Sequence, residues 1–128
     1  MKYLRLLFLA PLLMAFQCES DDEPVFMTDY FIQNNSSFDL ILFTEEAGEI
    51  IIESQTRQRI ATATSLNSFI VPSENIAFSN ITLNRVDSSG NISVVYEQNP
   101  IVDELWTENT LSTYDNEYNL IITDESLN

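Results

Sequence analysis

The chain contains no histidine, a single cysteine (Cys18) and only two glycines, Gly48 and Gly90. Without histidine, the commonest acid–base group and the commonest metal ligand are both missing. A single cysteine makes no internal disulfide, and zinc sites built on nitrogen and thiolate ligands are excluded. Basic residues are scarce as well: Lys2 and Arg5 precede Cys18, and Arg57, Arg59 and Arg85 follow it. From Cys18 onward those three arginines face all 20 carboxylates, a formal charge of −17 over 111 residues. Such a surface repels phosphate backbones, so no nucleic-acid partner is expected. It is also pushed away from anionic lipid heads, which makes a covalent membrane anchor the more necessary.

Long apolar runs are limited to one, Leu6 to Phe16 (LLFLAPLLMAF). It is too short to span a bilayer, which takes about 20 residues. Behind Lys2 and Arg5 it has the length and flanks of a signal-peptide core, and the reading is a signal over residues 1–17. Cys18 directly behind the run resembles a bacterial lipobox, in which the cysteine becomes the lipidated first residue. Ala15 and Gln17 stand where that box usually has a leucine-like residue and a small one. The alternative is an ordinary secretory signal that leaves a free thiol. Glu19, Ser20, Asp21, Asp22 and Glu23 then resemble the acidic surface-export signal of lipoproteins from Bacteroidota. On charge alone, the same stretch is a hydrated tether, residues 18–28, leading to one domain over residues 29–128.

Eight Phe, five Tyr and many Ile, Leu and Val argue for a folded core despite the charge. Strands are expected over Asp29–Asn34, Phe38–Thr44, Glu49–Glu53, Ser68–Val71 and Tyr118–Thr123. Arg57–Thr64 reads as an edge strand whose arginines blunt its open side. Asn80–Val86 and Asn91–Glu97 flank the turn Asp87-Ser88-Ser89-Gly90 as a hairpin. Pairing Val86 with Asn91 sets Leu83 opposite Val94 and Ile81 opposite Tyr96. Asn99-Pro100 is expected to open a short helix running to Trp106. Seven or eight short strands in about 100 residues predict an all-β fold, a small antiparallel β-sandwich of immunoglobulin-like or transthyretin-like type. A small up-and-down barrel is the alternative.

Three local patterns carry a wider resemblance: Asn34-Asn35-Ser36 after the first strand, Phe78, Ile81 and Leu83, and the closing segment Tyr118 to Glu125. In these the chain resembles small acidic-signal lipoproteins of Bacteroidota. The resemblance implies a β-sandwich accessory lipoprotein held to the outer membrane and brings no catalytic residues with it.

The chemistry within reach is narrow. Glu45/Glu46 and Asp103/Glu104 are neighbouring carboxylates, but strand neighbours point to opposite faces and make poor acid–base pairs. Asp87 to Asn91 superficially suggests a cation loop, yet it lacks the spaced acids of a calcium site and a hairpin turn accounts for it. Asn34, Asn35, Asn80 and Asn91 begin N-x-[ST] triplets, which carry little meaning in a bacterial chain. Trp106 with Tyr96, Tyr114 and Tyr118 is a candidate aromatic platform for sugars, set against Trp106 as a core plug. No enzyme, metal or cofactor is expected. The expectation is a surface-exposed binding module for a glycan or protein partner; the alternatives are a periplasm-facing protein and a structural envelope subunit that assembles by strand addition.

Overall fold

In a computed structural model the described residues are 22–128, and they form eight strands, most of which alternate apolar and polar side chains. In chain order these are β1 (Phe26–Asn34), β2 (Leu40–Thr44), β3 (Gly48–Ile52), β4 (Thr56–Ser65), β5 (Ile81–Val86), β6 (Ile92–Gln98), β7 (Trp106–Thr110) and β8 (Asp115–Ile122). They form two four-stranded sheets, β4-β1-β8-β7 and β3-β2-β5-β6, with no closure into a barrel. The domain is therefore a small β-sandwich. Only β1 and β8 pair in parallel, so the first sheet is mixed while the second is antiparallel throughout. Among the described residues, no helix is long and apolar enough to cross a membrane.

The core lies between the sheets. β1 turns Thr28, Tyr30, Ile32 and Asn34 inward, and β8 supplies Tyr118, Leu120 and Ile122 beside them. Leu40 and Leu42 of β2, Ile52 of β3, and Ile81 and Leu83 of β5 close over them from the second sheet. The strand ends define two poles. β1 runs from a first pole at Phe26 to a second at Asn34, and β2 returns from the second pole toward the first. At the second pole the fully buried Asn34 amide nitrogen donates to the carbonyls of Phe38, Ile52 and Glu53 at 2.7, 3.0 and 3.2 Å. Its Oδ1 accepts from the amide and hydroxyl of Ser36, so one side chain ties the β1–β2 and β3–β4 crossings, two of the four between the sheets.

Several expectations need correction. β1 begins three residues earlier than the pattern suggested. Ser68–Val71 is not a strand: Ile70 takes its hydrogen bonds from side chains of β1, accepting from the Tyr30 hydroxyl at 2.7 Å and donating to Thr28 Oγ1 at 3.2 Å. No helix starts at Asn99-Pro100. That bond is cis, a single 3-10 turn covers Asp103–Leu105, and Trp106 opens β7, a strand the polar run Thr107–Thr110 concealed. The β5–β6 hairpin is real, but its register is shifted: Val86 faces Ile92, and Leu83 faces Tyr96 across a bulge. Val95, the extra residue there, points into the core in place of Val94.

Candidate binding surface

The expected aromatic platform does not assemble. Trp106 is 5% exposed and stacks on Phe78 with ring centres 5.8 Å apart. Tyr118 is buried and stacks on Tyr30 at 6.1 Å, and Tyr30 meets Trp106 edge-on. Both residues are inward because each sits on an inward position of β7 or β8, opposite one another's neighbours in register. Gln98 fastens the rest: its Oε1 accepts from the Trp106 indole at 3.3 Å, and its Nε2 donates to the Tyr96 hydroxyl at 2.6 Å. Tyr114 lies at the first pole, against Phe26. Burial, and then the Glu108 carboxylate, push the Tyr118 phenol up to about 12, and burial raises Tyr30 further still. Trp106, Tyr118 and Tyr30 are core, with Tyr96 packed against it, and Tyr114 is exposed apart from them.

The carboxylates have local employment too. Asp87 Oδ1 accepts from the amides of Ser89 and Asn91 at 2.8 and 3.0 Å, and its other oxygen accepts from the Asn91 side chain. Those bonds, Asn91 first, hold its carboxyl below the ordinary range, as Ser37 does for Asp124. The loop is a braced turn. Among the described residues, no three Asp, Glu, His or Cys side chains converge on a metal position. Asp22 and Glu23 are exposed and outside regular structure, while Cys18, Glu19, Ser20 and Asp21 lie outside the described residues.

What the sequence did not disclose is a difference between the two outer faces. On the β4-β1-β8-β7 sheet most outward side chains are polar and interlocked, with Met27, Phe31 and Ile121 the apolar ones among them. Arg57 pairs with Glu117 at 2.8 Å, donates to Asn119 at 2.7 Å and lies over the Phe31 ring at 3.5 Å. Arg59 approaches Asp29 at 3.7 Å, and Asp29 accepts from the Thr62 hydroxyl.

The outer face of the β3-β2-β5-β6 sheet is aliphatic. Leu40, Leu42 and Ile52 point inward, so by alternation Ile41, Phe43 and Ile51 point out. Register sets Ile51 beside Ile41, and on the adjoining strands Val94 beside Asn84 and Ile92 beside Val86. Ile51, Val94 and Ile92 are 56%, 54% and 57% exposed. A hollow of about 450 Å³ lies on this face among Phe38, Ile41, Ile51, Arg85 and Val86, with the Arg85 guanidinium 3.4 Å over the Phe38 ring. Glu49 and Glu97 continue the outward positions of the two edge strands, β3 and β6, so the rim is acidic. A separate cleft of about 500 Å³ opens between the β2–β3 turn, β4 and residues 75–81, with Glu45 and Glu46 among its lining.

Compared with protein-family models, curated proteins and solved structures, the chain finds no match.

Proposed function

We propose that this protein is a non-catalytic, lipid-anchored module of the cell envelope that binds a protein partner through the outer face of the β3-β2-β5-β6 sheet. In this reading Cys18 carries the lipid, residues 19–23 direct the chain to the outer surface of the outer membrane, and the sandwich is what is displayed. The observation that supports it is the aliphatic outer face. Contiguous exposed apolar surface is costly in water and marks contact sites more often than isolated exposed residues do. Among the described residues, no aromatic ring lies over the aliphatic centre of this face formed by Ile41, Ile51, Ile92 and Val94, which favours a protein over a glycan, because sugars stack on aromatic rings.

The partner's chemistry follows from charge. With an apolar centre, a hollow suited to one anchoring side chain, and Glu49 and Glu97 at the rim, the face fits a surface with an apolar core and a Lys/Arg border. A second copy of this chain fits poorly, because the two acidic rims would meet. A structural role by strand addition has one feature in its favour: edge strand β6 carries neither proline nor lysine. The first and last strands leave no groove for it, since both are interior to their sheet.

A photo-crosslinking side chain placed at Val94, and separately at Asn109 on the opposite outer face, tests the reading in intact cells. The expected result is one protein joined to the Val94 probe through an apolar segment flanked by Lys or Arg, and lost with Ile51→Glu. No product from Val94, or the same product from both faces, would overturn it.

A further inference from the structure

We infer that the pole at which the tether enters the sandwich rests on a lipid bilayer. This rests on the lipid-anchor reading of Cys18 but uses residues separate from the protein-binding face. At this pole the start of β1, the end of β4 and the turn between β7 and β8 come together: Phe26 pairs with Ser65, and Met27 with Asp115. The Met27 amide donates to the Tyr114 carbonyl at 2.7 Å. Phe26 packs edge-on against both Phe69 and Tyr114, with ring centres 5.2 Å apart in each case. That braced aromatic base holds Val25, Met27, Leu66, Leu111 and Tyr114 in solvent, Leu66 and Leu111 each 59% exposed.

Charge singles out the same surface. Residues 24–28, 65–71 and 111–114 contain no Asp, Glu, Lys or Arg, in a chain whose charged residues make up 20%; the acids bordering them are Asp22 and Glu23 on the tether and Asp115, whose carboxylate accepts from the Ser112 hydroxyl at 2.7 Å. The opposite pole carries Asp39, Glu53, Asp87, Asp124 and Glu125. An acidic domain held at a membrane turns toward the lipid the part that loses least by leaving water, and here that part is also apolar. Tyr114 suits the boundary, having an apolar body and a polar end. Tether length supports the placement: Phe26 is eight residues past Cys18, a reach of at most roughly 28 Å. Glu45 and Glu46 project from the second sheet toward this pole, so the first sheet leans down and the second stays off the surface. With no basic residue in these segments, the surface it fits is zwitterionic rather than anionic lipid.

The lipidated full chain in pure phosphatidylcholine vesicles tests this. Acylation occupies Cys18, so Leu111→Cys provides one thiol for an environment-sensitive fluorophore, and Ser89→Cys provides the control at the far pole. The expected result is a blue-shifted Leu111 probe that brominated acyl chains quench, with the Ser89 probe doing neither. Leu66→Asp combined with Leu111→Asp should keep the fold and speed transfer between vesicles by about tenfold. A chain whose mass shows the acyl group but whose Leu111 probe stays in water overturns the inference and leaves the anchor standing. A mass without the acyl group sinks the anchor and the inference together. A Leu111 probe silent on pure lipid but shifted in native membranes identifies a protein surface and overturns the lipid assignment.

Discussion

Asn34 looks in the sequence like a turn residue or the head of a glycosylation triplet, and its local geometry does fit a turn. Its structural importance comes from elsewhere, because the three carbonyls its amide reaches belong to Phe38, Ile52 and Glu53. No local pattern reveals contacts of that kind. Asn34→Ala strands those acceptors in a buried site, and the expected loss is about 3 kcal/mol of stability, read as a lower urea midpoint at unchanged slope. The tyrosines give a pH test. Tyr118 is pushed up to about 12, and Tyr30 is raised as well, chiefly by burial. A phenol raised in the folded state contributes stability that is complete below the unfolded value near 10 and is lost as pH climbs past it. Alkaline titration should therefore show the phenolate absorbance of Tyr30 and Tyr118 appearing together with loss of the β-sheet dichroism. Tyr30→Phe should shrink that step. Smooth ionisation of every tyrosine with the fold intact would contradict the packing described.

Strand existence was legible wherever period two was strong, as in β1, β2, β5, β6 and β8. Register was less so. Asp87 braces a turn that closes from the Asp87 amide to the Asn91 carbonyl, one residue longer than the four-residue turn the sequence suggested. That single residue moves Asn91 out of the ladder and exchanges the roles of Val94 and Val95, and the bulge after Leu83 then sets Tyr96 opposite Leu83. β7 was missed because an edge strand with polar outward residues has no hydrophobic alternation to detect. Gly90, by contrast, is where turn chemistry needs it, at φ +84°. Gly90→Val forces a branched side chain into the left-handed region and should cost about 1–2 kcal/mol, checked by thermal unfolding. Val at Ser88 in the same turn should cost less. Equal effects would mean that the turn conformation is misassigned.

At the scale of the molecule, composition announced a small acidic β domain, and the structure is a β-sandwich of two four-stranded sheets. The inequality of its outer faces could not be read beforehand. It depends on which strands share a sheet: β2 and β3 join β5 and β6, which gathers Ile41, Ile51, Val86, Ile92 and Val94 on one side. The same holds for the apolar pole, assembled from three segments far apart in the chain. In the reading proposed above, one of these surfaces faces lipid and the other faces a protein. The measurement that tests this most directly is intact mass and N-terminal fragmentation of the protein extracted from its own cells. The account predicts a chain starting at Cys18 with acyl chains on that residue. A chain with a free Cys18 thiol, or one cut beyond Cys18, would contradict it.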